Sequence, residues 1–137
     1  MSFIVKNSQL SNEALNSLNS LIEQDINATC AFKLIRIIKF ISSVVEDKVK
    51  AEKLIFDKWV QKDENGNQLR AQDENGVDIP DTVLLSDIDS FSKEMSDLLN
   101  VENEIPFDKI SFNDLQLKTI KIKDLIKIEF LFDDFDN

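Results

Sequence analysis

From Ala31 to Val60 the chain runs without a glycine or a proline, and no other feature restricts its folding so strongly. With the two strongest helix breakers absent, the apolar positions Leu34, Ile38, Ile41, Val45, Val49, Phe56 and Trp59 keep to one face of a helix that Asn27 or Thr29 can cap. At 1.5 Å per residue, about thirty residues make a rod of roughly 45 Å. That is longer than most globular helices and suits one arm of a helical hairpin. The first half is apolar on more than one face, because Ile35, Ile37 and Phe40 widen the stripe. Left uncovered, those three residues would make a self-associating helix, so a homo-oligomer is open to this chain. The second half, Glu46 to Lys58, is charged and narrows to a seam for one partner helix.

The only two glycines occupy the same phrase, Asp63-Glu-Asn-Gly66 and Asp73-Glu-Asn-Gly76. Asn-Gly supplies the two positive φ angles of a type I′ turn, so Asn65-Gly66 and Asn75-Gly76 each read as a tight hairpin turn. Asn67 to Gln72 is strand-length, Val77-Asp78-Ile79 is a second short run, and Pro80 ends it. Together they predict a small β-meander at the far end of the long helix. The first phrase also imitates the start of a calcium-binding EF-hand loop. That loop needs glycine at its sixth position, and here glycine is the fourth, so turn chemistry explains the residues better.

Elsewhere, Phe3-Ile4-Val5 reads as one brief strand or an N-terminal anchor. Leu10, Ala14, Leu15, Leu18, Leu21 and Ile22 predict a helix from Gln9 to Gln24, with Ser8 or Ser11 as its cap. After Val83 to Leu85 as an extended lead-in, Ile88, Phe91, Met95 and Leu98 predict a helix from near Asp87 to near Asn100. Ser86 with Asp89 imitates a capping box at its start, and the helix should return along the long one. Ile105-Pro106 blocks continuation, leaving Phe107 to Phe112 as extended connection. A short strand around Leu117 to Ile122 and a helix from Lys121 to Phe132 follow, and the acidic tail 133–137 should fray. The expected fold is mainly α with a small β-hairpin or meander: an antiparallel helical hairpin with flanking helices.

A chain of 137 residues is one ordinary domain, and 42% apolar with 31% charged residues is the composition of a folded, water-facing protein. Cys30 is the sole cysteine, which removes an internal disulfide and any cysteine-based zinc cage. No histidine or tyrosine is present, so histidine triads, histidine general bases and nearly all catalytic zinc sites are excluded. We therefore expect no enzyme activity, no catalytic or metal-ligating residues and no cofactor. The N-terminus lacks the basic region and apolar core of a signal peptide. The most apolar stretch, Ala31 to Val45, is broken by Lys33, Arg36 and Lys39, so no membrane span and a cytoplasmic location are expected.

The formal net charge of −10 is unevenly distributed: Lys62 to Glu104 holds three cations and twelve carboxylates, whereas Phe32 to Gln61 holds seven cations and four anions. Asp73, Glu74, Asp78, Asp81, Asp87 and Asp89 are the candidate partner-binding residues; the same set could mimic a phosphate backbone, or be a solvated acidic face. A protein this acidic repels nucleic acid. Lys33, Arg36, Lys39, Lys48, Lys50 and Lys53, interleaved with Phe32 and Phe40, therefore read as a solvated helix face. Trp59 is expected in the core against Val77 or Ile79, and Cys30 as a small buried residue.

The order of a long helix, twin Asp-x-Asn-Gly turns, Ile-Pro-Asp, Phe91-Ser-Lys-Glu-Met-Ser-Asp-Leu-Leu99 and Glu104-Ile-Pro-Phe-Asp-Lys-Ile110 resembles a family of small bacteriophage and prophage proteins of unknown function. The likeness covers about the second two thirds of the chain and departs from the family's usual helix start at Lys118 to Lys123. It implies a phage-encoded, non-enzymatic protein and does not choose between a virion or assembly component and a factor aimed at the host. We expect protein–protein interaction in the host cytoplasm or the virion, as a small virion or assembly component or its accessory. An acidic inhibitor of a host nucleic-acid-processing or defence enzyme is the alternative it leaves open.

Overall fold

A computed structural model describes residues 2–117 and 119–135. The fold is mainly α with a small antiparallel sheet: strand β1 (Phe3–Lys6), helices α1 (Asn12–Ile22), α2 (Ala28–Trp59) and α3 (Ile88–Leu99), strand β2 (Glu102–Ile105), and helices α4 (Phe112–Leu115) and α5 (Ile122–Ile128). The sequence reading counts one domain; the chain clusters into two compact units, Met1–Lys48 with Leu99–Asn137, and Val49–Leu98. Helix α2 contributes to both.

The first unit holds the core. In β1 the side chains alternate, with Phe3 and Val5 buried and Ile4 and Lys6 exposed, as a strand with one covered face requires. It pairs antiparallel with β2 in the register Phe3↔Ile105 and Val5↔Asn103. Asn103 Nδ2 donates to the Val5 carbonyl at 3.1 Å and to Asn7 Oδ1 at 2.8 Å, which satisfies the buried Asn7 side chain. Ser11 caps α1, accepting from the Ala14 amide at 3.1 Å, and Asn27 caps α2 through the Cys30 amide at 2.9 Å.

Leu10, Leu18 and Leu21 meet Leu34, Ile37, Ile41, Ile105, Leu115, Ile128, Leu131 and Phe132 in one buried cluster. Helix α5 lies against α1, where Ser17 Oγ donates to Asp124 Oδ1 at 3.1 Å and Lys127 reaches Glu13 at 3.3 Å.

Four expectations at the termini and connections change. Helix α1 begins at Asn12, because a turn of 3-10 helix at Asn7–Gln9 uses the residues before it. The connection expected over Phe107 to Phe112 ends one residue earlier, at the extended Ser111, because Phe112 opens α4; within it the Ile110 amide donates to Leu131 O at 3.0 Å while the Ile110 carbonyl accepts from the Asp133 amide. Leu117, Thr119 and Ile120 form no strand, and α5 ends at Ile128 in a 3-10 turn. Asp133–Phe135 is ordered as a 3-10 turn rather than frayed, because Asp134 and Phe135 both have partners. Asp136, Asn137 and Lys118 lie outside the described residues.

In the first half of α2, Ile37 is buried at 1% exposure, Phe40 stacks edge-on against Phe107 at 6.2 Å, and Ile35 is 38% exposed. The wide apolar stripe is therefore largely core. Val49, expected on the buried face, is 49% exposed.

The second unit comprises the end of α2, two hairpins and α3. Asp87 caps α3: its Oδ1 accepts from the Ser90 amide at 3.1 Å and its Oδ2 from the Ser90 hydroxyl at 2.8 Å. Ser86, expected to cap, instead donates through Oγ to the Trp59 carbonyl at 3.1 Å, so one residue ties off the end of α2 and the next starts α3. Lys58 reaches Glu94 of α3 at 2.6 Å.

Candidate functional site

The six candidate carboxylates all belong to the second unit, and all are exposed. The hairpins that carry them are built by their first aspartates. Asp63 Oδ1 accepts from the amides of Asn65 at 2.8 Å and Asn67 at 2.9 Å, and its carbonyl accepts from Gly66 at 3.0 Å. Asp73 repeats this with Asn75 at 2.9 Å, Val77 at 3.0 Å and Gly76 at 3.0 Å. Within the two phrases only the glycines are left-handed, Gly66 at φ 82° and Gly76 at φ 77°, while Glu64, Asn65, Glu74 and Asn75 keep negative φ.

The type I′ expectation is therefore corrected: each phrase is a type I turn with aspartate first and glycine fourth, the glycine itself being the left-handed residue. The aspartate side chain selects it, since accepting from the second and fourth following amides holds the two central residues right-handed. The same bonds turn Asp63's oxygen toward its own backbone, away from the ligand role an EF-hand would give it.

Single bridges, Lys62↔Gln68, Gln72↔Asp78 and Val60↔Leu85, take the place of full strands. The hairpins are joined through backbone bonds from Leu69 to Gln61 at 2.9 Å, Gln61 to Leu84 at 2.8 Å and Leu84 to Leu69 at 3.0 Å. Thr82 Oγ1 accepts from the Ala71 amide at 3.0 Å and donates to Ile79 O at 2.7 Å, closing the second hairpin.

These bonds separate the six candidates by role. Asp73 and Asp87 are occupied as turn and helix caps, and Asp87 is held below the usual aspartate range first by the Ser90 amide and then by the Ser90 hydroxyl. Asp78 accepts from Gln72 at 3.3 Å, and Asp81 sits at φ 61°, the left-handed corner after Pro80. Among the described residues none of the six forms an ion pair. Sequence reasoning missed what lies between them: Val77 is 60%, Ile79 39% and Leu69 36% exposed. Val77 and Ile79 are thus surface residues, contrary to the expected packing under Trp59; their place in a two-residue alternation with Asp78 was the available signal. An open groove of about 770 Å³ runs beside them, lined by Asp63, Leu69, Arg70, Asp78 and Leu84 among others.

The first unit has a separate cavity of about 290 Å³ lined by Cys30, Lys33, Arg36, Phe107 and Asp114 among others. Cys30 is buried and donates from Sγ to the Asp114 carbonyl at 3.6 Å. The Arg36 guanidinium lies 4.9 Å from the Phe107 ring and 5.8 Å from Phe32, so the basic strip is partly engaged by aromatic faces.

The carboxyl shifts bear on chemistry. Glu94 is held below the usual glutamate range first by the hydrogen bond from Lys58 and then by the Trp59 indole, which faces it without meeting full hydrogen-bond geometry. Asp134 is lowered by its hydrogen bond with Asp133 and then by the Phe112 and Asn113 amides. With Asp87, the three shifted carboxyls all move toward the ionised form, the opposite of what a general acid needs. Among the described residues no cluster of three or more potential metal ligands occurs, and no helix is long and apolar enough to cross a membrane. The chain matches no family model, no curated protein and no solved structure.

Proposed function

We propose that this is a non-enzymatic protein–protein interaction protein of a bacteriophage, a small virion or assembly component or an accessory to one, acting in the host cytoplasm or the virion. Its contact surface is the acidic pair of hairpins. The observation that supports this reading is the alternation of exposed Asp78 with exposed Val77 and Ile79, beside exposed Glu74, on a backbone that bonds to itself. Such a surface offers apolar area for affinity and charge for orientation, and the hairpins are held in shape before any partner arrives. The phage setting rests on the resemblance carried by the twin turns and the Glu104 to Ile110 segment.

Glu74 and Asp78 are the residues to test, because Asp73 and Asp87 hold the turn and the helix. The double variant Glu74→Lys with Asp78→Lys should keep its helical circular dichroism and lose its partner in affinity capture from infected cells. Retention of the partner by the folded variant rejects the surface. Mass spectrometry of purified virions and of lysate then places the protein: a fixed ratio to particle proteins makes it a virion component, and presence in lysate alone makes it an assembly accessory. Capture of a host nucleic-acid-processing enzyme that the protein inhibits would replace this reading with the acidic-inhibitor one.

A further inference from the structure

The floor of the first unit's cavity is apolar and its rim is charged. Cys30, Ile37 and Ile110 are buried at its base, and half-buried Phe107 adds an aromatic wall. Helix α2 supplies two cations to the rim, Lys33 and Arg36, one turn apart and so on the same face. Aspartates 108, 114 and 133 line the same cavity, yet among the described residues neither cation forms an ion pair or donates a hydrogen bond. The Arg36 guanidinium is held instead over the faces of Phe107 and Phe32. Ring contact of this kind positions a guanidinium without consuming its N–H donors, so its fork stays available to a planar oxyanion.

The charges opposite limit what that oxyanion carries. Asp108, Lys109 and Asp133 have partners of their own. The remaining lining carboxylate is that of Asp114. Its backbone carbonyl accepts from Cys30 Sγ at 3.6 Å and Asn27 Nδ2 at 3.4 Å, but its side chain meets no described partner. Two free cations against one free carboxylate leave a single positive charge uncompensated, which a singly charged ligand balances and a phosphate dianion overshoots. The volume of about 290 Å³ is at the lower edge of ligand pockets, roughly 300–1,000 Å³, and restricts the occupant to a small molecule.

We propose that this cavity binds a small organic monocarboxylate, its carboxylate on Arg36 and Lys33 and its apolar body on Ile37, Ile110 and Phe107. The site lies wholly within the first unit and is independent of the reading of the acidic hairpins.

Amide NMR of the full chain, titrated with benzoate and with 4-methylpentanoate, tests it. Both acids should shift the Cys30, Lys33, Ile110 and Asp114 amides saturably. Their uncharged counterparts, benzamide and 4-methylpentanamide, should bind at least about tenfold more weakly, because they offer the guanidinium no ionised acceptor. Inorganic phosphate should bind more weakly than either acid. Lys33 and Arg36 are exposed, so Lys33→Gln with Arg36→Gln should keep its helical circular dichroism and lose on the order of tenfold or more in affinity. Asp114→Asn removes the free carboxylate that faces the ligand and should tighten binding severalfold. Absence of saturable shifts with both acids overturns the proposal. So do uncharged amides or phosphate that bind as tightly as the acids, a folded double variant with wild-type affinity, and an Asp114→Asn change that weakens binding. None of these results alters partner capture by Glu74 and Asp78, so the two readings fail separately.

Discussion

Asp134 Oδ1 accepts the Phe112 amide at 2.8 Å, so a residue from the 3-10 turn Asp133–Phe135 caps helix α4 across 22 positions of sequence. Ser111, the residue in the capping position itself, makes no side-chain bond to the helix and donates to Asp134 instead. Beside it, the Phe135 ring lies 5.6 Å from Phe112 and 5.8 Å from Phe132. Phe135→Ala should cost about 1 kcal/mol, the usual worth of such aromatic pairs. Chemical denaturation of this variant and of one ending at Phe132 should show both destabilised, the truncated chain more, since it also loses the cap.

Acidification should release the same cap. Asp134 and Asp87 have folded pKa values lowered from the usual aspartate range, so the native state binds fewer protons than the unfolded one as pH approaches that range. Their contribution is present in full above the unfolded value and is lost as pH falls through the lowered folded values. Thermal unfolding followed from neutral pH down to the acid region should show a steep fall that Asp134→Asn and Asp87→Asn each make shallower.

At Gly66 and Gly76 an added methyl would meet nothing within 4 Å, so any cost of alanine is purely a backbone cost. With φ at 82° and 77°, Gly66→Ala and Gly76→Ala should each destabilise by about 1 kcal/mol, and asparagine by less, because it tolerates left-handed backbone better. Urea titrations of the four variants distinguish backbone strain from a steric clash, which would place asparagine last.

Burial separates two substitutions of similar chemistry. Phe132 is fully buried, and Phe132→Ala should cost about 3–5 kcal/mol. Leu54 is 72% exposed, and Leu54→Ala should change monomer stability by no more than about 0.5 kcal/mol. Chemical denaturation of the two variants beside the wild type is the comparison to make.

Binding through the hairpins should weaken as salt is raised, because exposed carboxylates act over roughly a Debye length, about 8 Å at physiological ionic strength. Titration of a captured partner at two salt concentrations checks this. An affinity indifferent to salt would assign recognition to Val77 and Ile79 rather than to the carboxylates beside them.

Local physics made the helices and turns legible in the sequence. The uninterrupted run after Asn27 determined α2, the three- and four-residue spacing from Ile88 to Leu98 determined α3, and Asp-Glu-Asn-Gly determined two hairpins, because propensity, capping and left-handed backbone are properties of neighbouring residues. Even the turn type was implicit in the aspartate that opens each phrase, although Asn-Gly alone points to the wrong one. Exposure of the acidic set followed from its composition as well.

Only the tertiary structure decided the rest. Strand β2 exists because β1, about a hundred residues earlier, supplies its partner, and no local pattern in Glu102–Ile105 announces it. Asp134 became a cap and Val49 a surface residue for the same reason: burial and hydrogen bonding over long separations depend on which elements meet. The periodicity of α2 marks a face along its full length, but a face is buried only where other residues reach it. The first unit closes over that face as far as Val45, and beyond Val45 the stripe is left half-covered.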